Sequence, residues 1–131
     1  MFIHETRIRL HHTDAAGVVF YGNVFKLAQD CFEAFFDEHM PLASIIHSGD
    51  LSIPIVHARA DYRHPMRLSD RITIEMALGK RGSQSFELRY QIKNPAGTLC
   101  ADVFTTHAAI NKNTSAATSI SEALGDILTR L

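Results

Sequence analysis

The apolar residues of this chain of 131 residues follow two different periods, and no other feature of the sequence limits its fold as strongly. Residues 23–38 place large apolar side chains at helical spacing, with charged residues on the opposite face, which predicts one long helix. From residue 54 the period becomes two, the spacing of strands with one buried face. The predicted strands are residues 54–64, 71–78, 84–93 and 98–110.

Shorter patterns complete the order of elements. Residues 2–10 alternate from Phe2 to Leu10 and predict a first strand with one buried face. Asn23 is a good N-cap for the long helix. Residues 40–52 predict a short helical turn and a loop, and residues 119–131 predict a closing helix capped by Ser119 or Ser121.

This order of elements indicates the fold class. Strands that follow one another through short, turn-rich joints are expected to pair antiparallel. One such sheet with one long helix on one face is an α+β fold, and residues 1–131 are expected to form a single domain. The other face of the sheet would stay uncovered in a monomer, so a homo-oligomer is expected.

Composition and charge narrow the class of partners. A formal net charge of −1 argues against nucleic-acid binding, which needs a basic face. No apolar run is as long as a membrane span, and the N-terminus lacks an apolar signal core, so a cytoplasmic location is expected. Cys31 and Cys100 fit a reduced, intracellular protein, although two cysteines could also pair.

The stretch HHTDAAGVVFYGN, residues 11–23, places a lone acid between the first predicted strand and the long helix. The unpaired N–H groups of a helix start favour the ionised form of Asp14, whereas burial would favour protonation. Gly17 permits a tight turn. From these residues alone a turn cap is the favoured role of Asp14, and a catalytic carboxylate is the alternative.

Two other chemistries find no support in the residue pattern. The eight histidines show no HxxxH or HExxH spacing, and the cysteines show no CxxC spacing. The side chains of the adjacent His11 and His12 would point in different directions on an extended chain. No metal site is therefore expected. The GxSxG elbow of serine hydrolases is also missing.

Four segments together resemble a known family. They are TDAAGVVFYGN, IPIVHARADYRHPMRLSDRI, KRGSQSFELRYQI and TTHAAI, and they resemble the hotdog-fold acyl-CoA thioesterases of the 4-hydroxybenzoyl-CoA thioesterase-like family over residues 4–111. GDLSIPIVHA followed by TTHAAI is most similar to the branch that hydrolyses 1,4-dihydroxy-2-naphthoyl-CoA in quinone biosynthesis. The resemblance implies an antiparallel sheet wrapped around the long helix, dimers or dimers of dimers, and acyl-CoA bound between subunits. No cofactor is implied, since coenzyme A is part of the substrate.

The resemblance also implies roles for residues of the loop and helix. Asp14 would be the nucleophile or the general base, and the backbone N–H of Tyr21 would bind the oxyanion. Relatives often carry His at this position, so only the backbone role is carried over to Tyr21. Relatives also often carry a carboxylate where this chain has Gln29, and Glu33 is expected to be a solvated helix residue.

The expected substrate contacts fall into two groups. The turn GKRGSQS would hold the phosphates of coenzyme A, although its cations could simply be exposed turn residues. An aromatic acyl group would meet apolar and aromatic residues, and His57 or His107 could reach the same pocket. The candidates for the phosphates are Lys80, Arg81, Ser83 and Ser85, with Arg59, Arg63 and His64 as weaker ones. The candidates for the acyl group are Phe20, Tyr21, Ile53, Val56 and His57.

Three alternative functions share features of this sequence. A general short-chain or hydroxybenzoyl acyl-CoA thioesterase would share the same motif. A hotdog dehydratase or hydratase usually pairs His with an acid on the central helix, and this helix has no His before His39. A non-catalytic acyl-CoA-binding protein is the third alternative, and an acid kept at the Asp14 position argues against it.

Overall fold

The computed structural model describes residues 1–131, apart from the side chains of Ile46 and Ser48. Its elements confirm the predicted order of strand, long helix and four successive strands. A 3-10 turn at Leu10–His12 connects the first strand to the loop that carries Asp14. The elements are β1 (Phe2–Arg7), α1 (Asn23–His39), α2 (Leu42–Ser48), β2 (Leu51–Ser52), β3 (Ile55–Tyr62), β4 (Arg71–Arg81), β5 (Ser85–Lys93), β6 (Leu99–Ala108), β7 (Ile110–Asn111) and α3 (Glu122–Leu128).

Five strands form one antiparallel sheet in the order β1-β4-β5-β6-β3, and β2 pairs with β7 beside it. One face of this sheet packs on α1, which contacts β1, β4 and β6. The strands bury alternate residues such as Ile74, Leu88 and Val103 against Leu27 and Phe35 of the helix. The structure therefore confirms an α+β hotdog architecture, with the long helix held against an antiparallel sheet.

Several element boundaries differ from the prediction, and three of the differences change the role expected of a residue. The first strand ends at Arg7, because the chain turns at Leu10–His12, and Leu10 is consequently 74% exposed. The N-cap of α1 is Gly22, so the prediction that Asn23 caps the helix was wrong. The closing helix is only Glu122–Leu128, and its cap is Ser121, whose Oγ accepts a hydrogen bond from the Leu124 N–H at 3.2 Å.

The uncovered apolar surface does not lie where the sequence pattern suggested. The sheet face that points away from α1 is charged and carries ion pairs between Arg89 and Asp102 and between Lys93 and Glu75. The apolar exposure instead follows the edge strand β3, where Val56 is 62% exposed. The predicted buried face of β3 is thus absent within one protomer. No helix of the described residues is long and apolar enough to span a membrane.

Candidate active site

The Asp14 loop is a short hairpin between β1 and α1. Its two arms are joined by backbone hydrogen bonds from the Phe20 N–H to the His12 carbonyl at 3.0 Å and from the Asp14 N–H to the Val18 carbonyl at 2.9 Å. Gly17 makes the reversal with φ of 77°, in the left-handed region where a side chain would be strained. The tight turn predicted at Gly17 is confirmed.

Asp14 itself lies exposed on this hairpin. Its Oδ1 accepts a hydrogen bond from the Ala16 N–H at 2.8 Å, which orients the carboxylate within the turn. This contact is the one that a turn-capping residue would make, and it uses one of the two carboxylate oxygens. The geometry therefore accommodates both predicted roles, a turn cap and a reactive acid, in the same side chain.

Two side chains connect the hairpin to its surroundings, and sequence reasoning missed both roles. Asn23, the first residue of α1, donates from its amide to the His12 carbonyl at 2.7 Å. Tyr62, at the end of β3, donates from its hydroxyl to the Tyr21 carbonyl at 2.8 Å. The helix start, Tyr21 and the strand that leads to Asp14 are consequently fixed relative to one another. No spacing rule could have identified these contacts, because they join residues 11 and 41 positions apart.

A cleft of about 330 Å³ opens beside the start of α1. One wall is the hairpin, and the other is the segment that follows β3. The lining is largely apolar and includes Tyr21 but not Asp14. The lining residues are Val18, Val19, Tyr21, Val24, Tyr62, Arg63, His64, Pro65, Met66 and Cys100.

The predicted site residues occupy opposite ends of the sheet. Strand pairing places Tyr62 and the start of β4 at the end that carries the Asp14 hairpin. The same pairing places the turn after β4 and the start of β3 at the far end, and β4 spans about 33 Å between them at 3.3 Å per residue. The far end holds the candidates Lys80, Arg81, Ser83, Ser85, Ile53, Val56 and His57.

Residues at the far end are partly engaged in internal contacts. Arg81 donates from its guanidinium to the Gly125 carbonyl of α3 at 3.3 Å. Lys80 is exposed. His107 is buried between the rings of Phe32 and Phe86, each 5.0 Å away. The side chain of His107 therefore belongs to the core and does not face an open pocket.

Hydrogen bonds explain how His107 is accommodated there. Its Nδ1 lies 3.2 Å from the Ile53 carbonyl, and its Nε2 lies 3.0 Å from the Thr105 hydroxyl. Burial lowers the pKa of His107, so the ring is neutral, donates from Nδ1 to the carbonyl and accepts from Thr105. His107 thus ties Ile53, a predicted acyl contact, to the sheet.

The remaining polar candidates show no second catalytic cluster. Gln29 on α1 contacts Glu33 with 3.5 Å between Nε2 and Oε1, and Glu33 is exposed. Within the described part of the chain, no three His, Cys, Asp or Glu side chains are placed to hold a metal ion. Burial raises the pKa of Cys31 to about 12, so this thiol is not a nucleophile near neutral pH.

Comparison with known proteins places these features in context. A family model described as the thioesterase-like superfamily matches residues 8–128. A 1,4-dihydroxy-2-naphthoyl-CoA hydrolase of Rippkaea orientalis is 36% identical over 89% of this chain and 87% of its own. A protein of the same name from Trichodesmium erythraeum is 30% identical over 92% and 90%. A crystal structure of a 1,4-dihydroxy-2-naphthoyl-CoA thioesterase from Synechocystis has a TM-score of 0.92 at 24% identity, covering 99% of this chain and 96% of that chain, which is a likeness of fold.

Proposed function

This chain belongs to the thioesterase-like superfamily, and from that membership we propose that it hydrolyses an aromatic acyl-CoA, 1,4-dihydroxy-2-naphthoyl-CoA, in quinone biosynthesis. The observation that carries the proposal is the 36% identity over 89% of the chain to a hydrolase named for this substrate. The hairpin supports the same chemistry, since it holds an exposed acid close in the fold to a helix start.

Thioester hydrolysis needs an oxygen nucleophile and donors for the oxyanion. As a general base, Asp14 takes a proton from water while the water oxygen bonds to the thioester carbon. As a nucleophile, Asp14 bonds to that carbon directly, and water then hydrolyses the mixed anhydride. In either course the C–S bond breaks, the sulfur leaves as the thiol of coenzyme A after taking up a proton, and the Tyr21 N–H stabilises the negative carbonyl oxygen.

We place the acyl group in the cleft beside α1. Its lining carries two tyrosine rings, Tyr21 and Tyr62, together with the apolar Val24 and Met66. A flat bicyclic ring would bury both faces among such groups, whereas a short aliphatic chain would leave part of the cleft unfilled. Discrimination by an apolar pocket is about 1–3 kcal/mol per methylene-sized change.

A second copy of the chain would complete the site. The phosphate-binding candidates Lys80 and Arg81 lie at the sheet end opposite to Asp14, so one protomer cannot bring them to the same substrate. Two β3 edges paired antiparallel about a twofold axis would bring the far end of one protomer toward the Asp14 end of the other. We therefore propose a homo-oligomer, a dimer of dimers, with acyl-CoA bound between subunits.

A thiol-release assay tests the function. Purified protein is offered 1,4-dihydroxy-2-naphthoyl-CoA, 4-hydroxybenzoyl-CoA and a series of short aliphatic acyl-CoAs, and free thiol is followed with time. The proposal expects the highest kcat/KM for the naphthoyl substrate. Faster turnover of aliphatic acyl-CoAs would assign the chain to the general acyl-CoA thioesterases. Binding of acyl-CoA without thiol release from any substrate would indicate a non-catalytic binder.

A further inference from the structure

We propose that a groove at the β1–β4 edge of the sheet is an anion site for the phosphate groups of a small molecule. The groove measures about 630 Å³ and is open to solvent. β1 and β4 pair in a register that puts Arg7 directly opposite Arg71, and Arg9 follows two residues after Arg7. The lining residues are Glu5, Thr6, Arg7, Arg9, Arg71, Ile72, Thr73 and Pro95.

The positive charge of this groove is only partly offset within the protein. Like charges directly opposite each other in an antiparallel pair are destabilising, so Arg7 and Arg71 oppose the pairing of their strands. The other cations on the same sheet face each lie beside an acid. Those pairs are Arg59 with Asp61, Arg89 with Asp102 and Lys93 with Glu75, and in the part of the chain that the structure describes no ion pair includes Arg7, Arg9 or Arg71.

The charge of the groove points to phosphate. Three arginines and Glu5 leave the lining with a formal charge of 3 − 1 = +2. A phosphate monoester carries a charge of about −1.5 to −2 near neutral pH, so it offsets the positive charge of this groove. A single carboxylate would offset only half of that charge. The planar guanidinium also matches phosphate oxygens with two parallel hydrogen bonds. The whole chain has a net charge of −1, so this cluster does not reflect a generally basic surface.

The position of the groove allows two sources of phosphate. Arg7 and Arg71 lie at the same end of the sheet as the Asp14 hairpin, which β1 reaches through the Leu10–His12 turn. The phosphates of coenzyme A could therefore bind here, instead of at the Lys80 turn, while the thioester reaches Asp14. Alternatively, a free nucleotide could bind here and leave the substrate site unaffected. The chemistry of recognition is the same in both cases.

Calorimetric titration with adenosine 3′,5′-bisphosphate tests the site directly, because it needs no turnover and does not depend on the proposed activity. The ligand is titrated into the wild-type protein and into Arg71→Gln, with Arg130→Gln as the control. Arg130 is exposed near the C-terminus, outside the groove, and its substitution removes the same charge. Arg71→Gln should weaken binding about tenfold, the effect of losing one charge-assisted contact, and Arg130→Gln should not.

Thermal unfolding separates this effect from misfolding. Arg71→Gln relieves the repulsion with Arg7, so the ligand-free variant should unfold at the same temperature as the wild type or higher. When the bisphosphate is added at matched ionic strength, the unfolding temperature of Arg71→Gln should rise less than that of the wild type. Equal binding by Arg71→Gln and Arg130→Gln, or no binding by the wild type, would overturn the proposal.

The KM for acyl-CoA distinguishes the two sources. If the site binds the bisphosphate and KM rises in Arg71→Gln, the phosphates belong to the substrate. If it binds the bisphosphate and KM is unchanged, the groove serves a separate nucleotide. Both outcomes support an anion site.

Discussion

Replacement of Asp14 by Asn separates the catalytic role proposed for this side chain from its structural one. In the folded protein, Oδ1 of Asp14 accepts a hydrogen bond from the Ala16 N–H at 2.8 Å. The amide oxygen of Asn can accept the same bond, so the turn keeps its capping contact. The side chain is exposed, and we expect the free energy of unfolding to change by less than about 0.5 kcal/mol.

The effect on turnover should be much larger. An amide is a very poor base and cannot act as a carboxylate nucleophile, and loss of a general base typically lowers kcat by about 10²–10⁴-fold. That factor corresponds to about 3–5 kcal/mol of transition-state stabilisation. The assay is thiol release under saturating substrate, with substrate affinity and thermal midpoint measured on the same preparation.

Asp14→Ala is the matched comparison. Ala loses the bond to Ala16 as well as the carboxylate, so it should also lower stability by about 1 kcal/mol. If Asp14→Asn folds normally and turns over at a near-normal rate, Asp14 is not the reacting acid, and Glu33 becomes the next candidate. If both variants lose activity only in proportion to lost stability, Asp14 is a turn cap alone.

Four further changes probe the surroundings of the site. Tyr62→Phe removes only the hydroxyl that donates to the Tyr21 carbonyl and keeps the ring that lines the cleft. Loss of this hydrogen bond, worth about 1 kcal/mol, should lower kcat about fivefold at unchanged KM, and a rise in KM alone would show that the hydroxyl contacts substrate instead of orienting Tyr21. Lys80→Ala should raise KM for acyl-CoA with little change in kcat, and an unchanged KM would remove Lys80 from the substrate site. Val56→Asp on the exposed β3 edge should give an inactive monomer by light scattering, which an active oligomer would contradict. Burial lowers the pKa of His107 and His12. The free energy of unfolding should therefore be highest above about pH 6.5 and should decline as the pH falls toward the folded-state pKa values. Urea unfolding at pH 7.5 and 5.5 should show a smaller decline in this free energy for His107→Gln than for the wild type, and an equal decline would show that His107 does not contribute.

The sequence alone was sufficient for features that depend on neighbours along the chain. Helical spacing over residues 23–38 predicted α1, which begins and ends within one residue of that range, because one buried stripe needs that period. Alternation predicted the strands for the same reason. Gly17 was predicted as a tight turn because such a turn has its own local chemistry, whereas the catalytic role proposed for Asp14 came from the family resemblance of the TDAAGVV motif.

The tertiary structure decided everything that depends on which strands are neighbours. Alternation in β3 predicted a buried face, but the strand lies at the sheet edge and stays exposed, because burial depends on what packs against a strand. Register placed Arg7 opposite Arg71 although 64 positions separate them in the sequence, and it placed the Lys80 turn far from Asp14. The bonds from Asn23 to His12 and from Tyr62 to Tyr21 likewise join residues that only the folded chain brings together. The sequence therefore determined the elements and the position of the candidate acid Asp14, whereas strand order and register determined which charges and donors meet, because side chains interact through space and not along the chain.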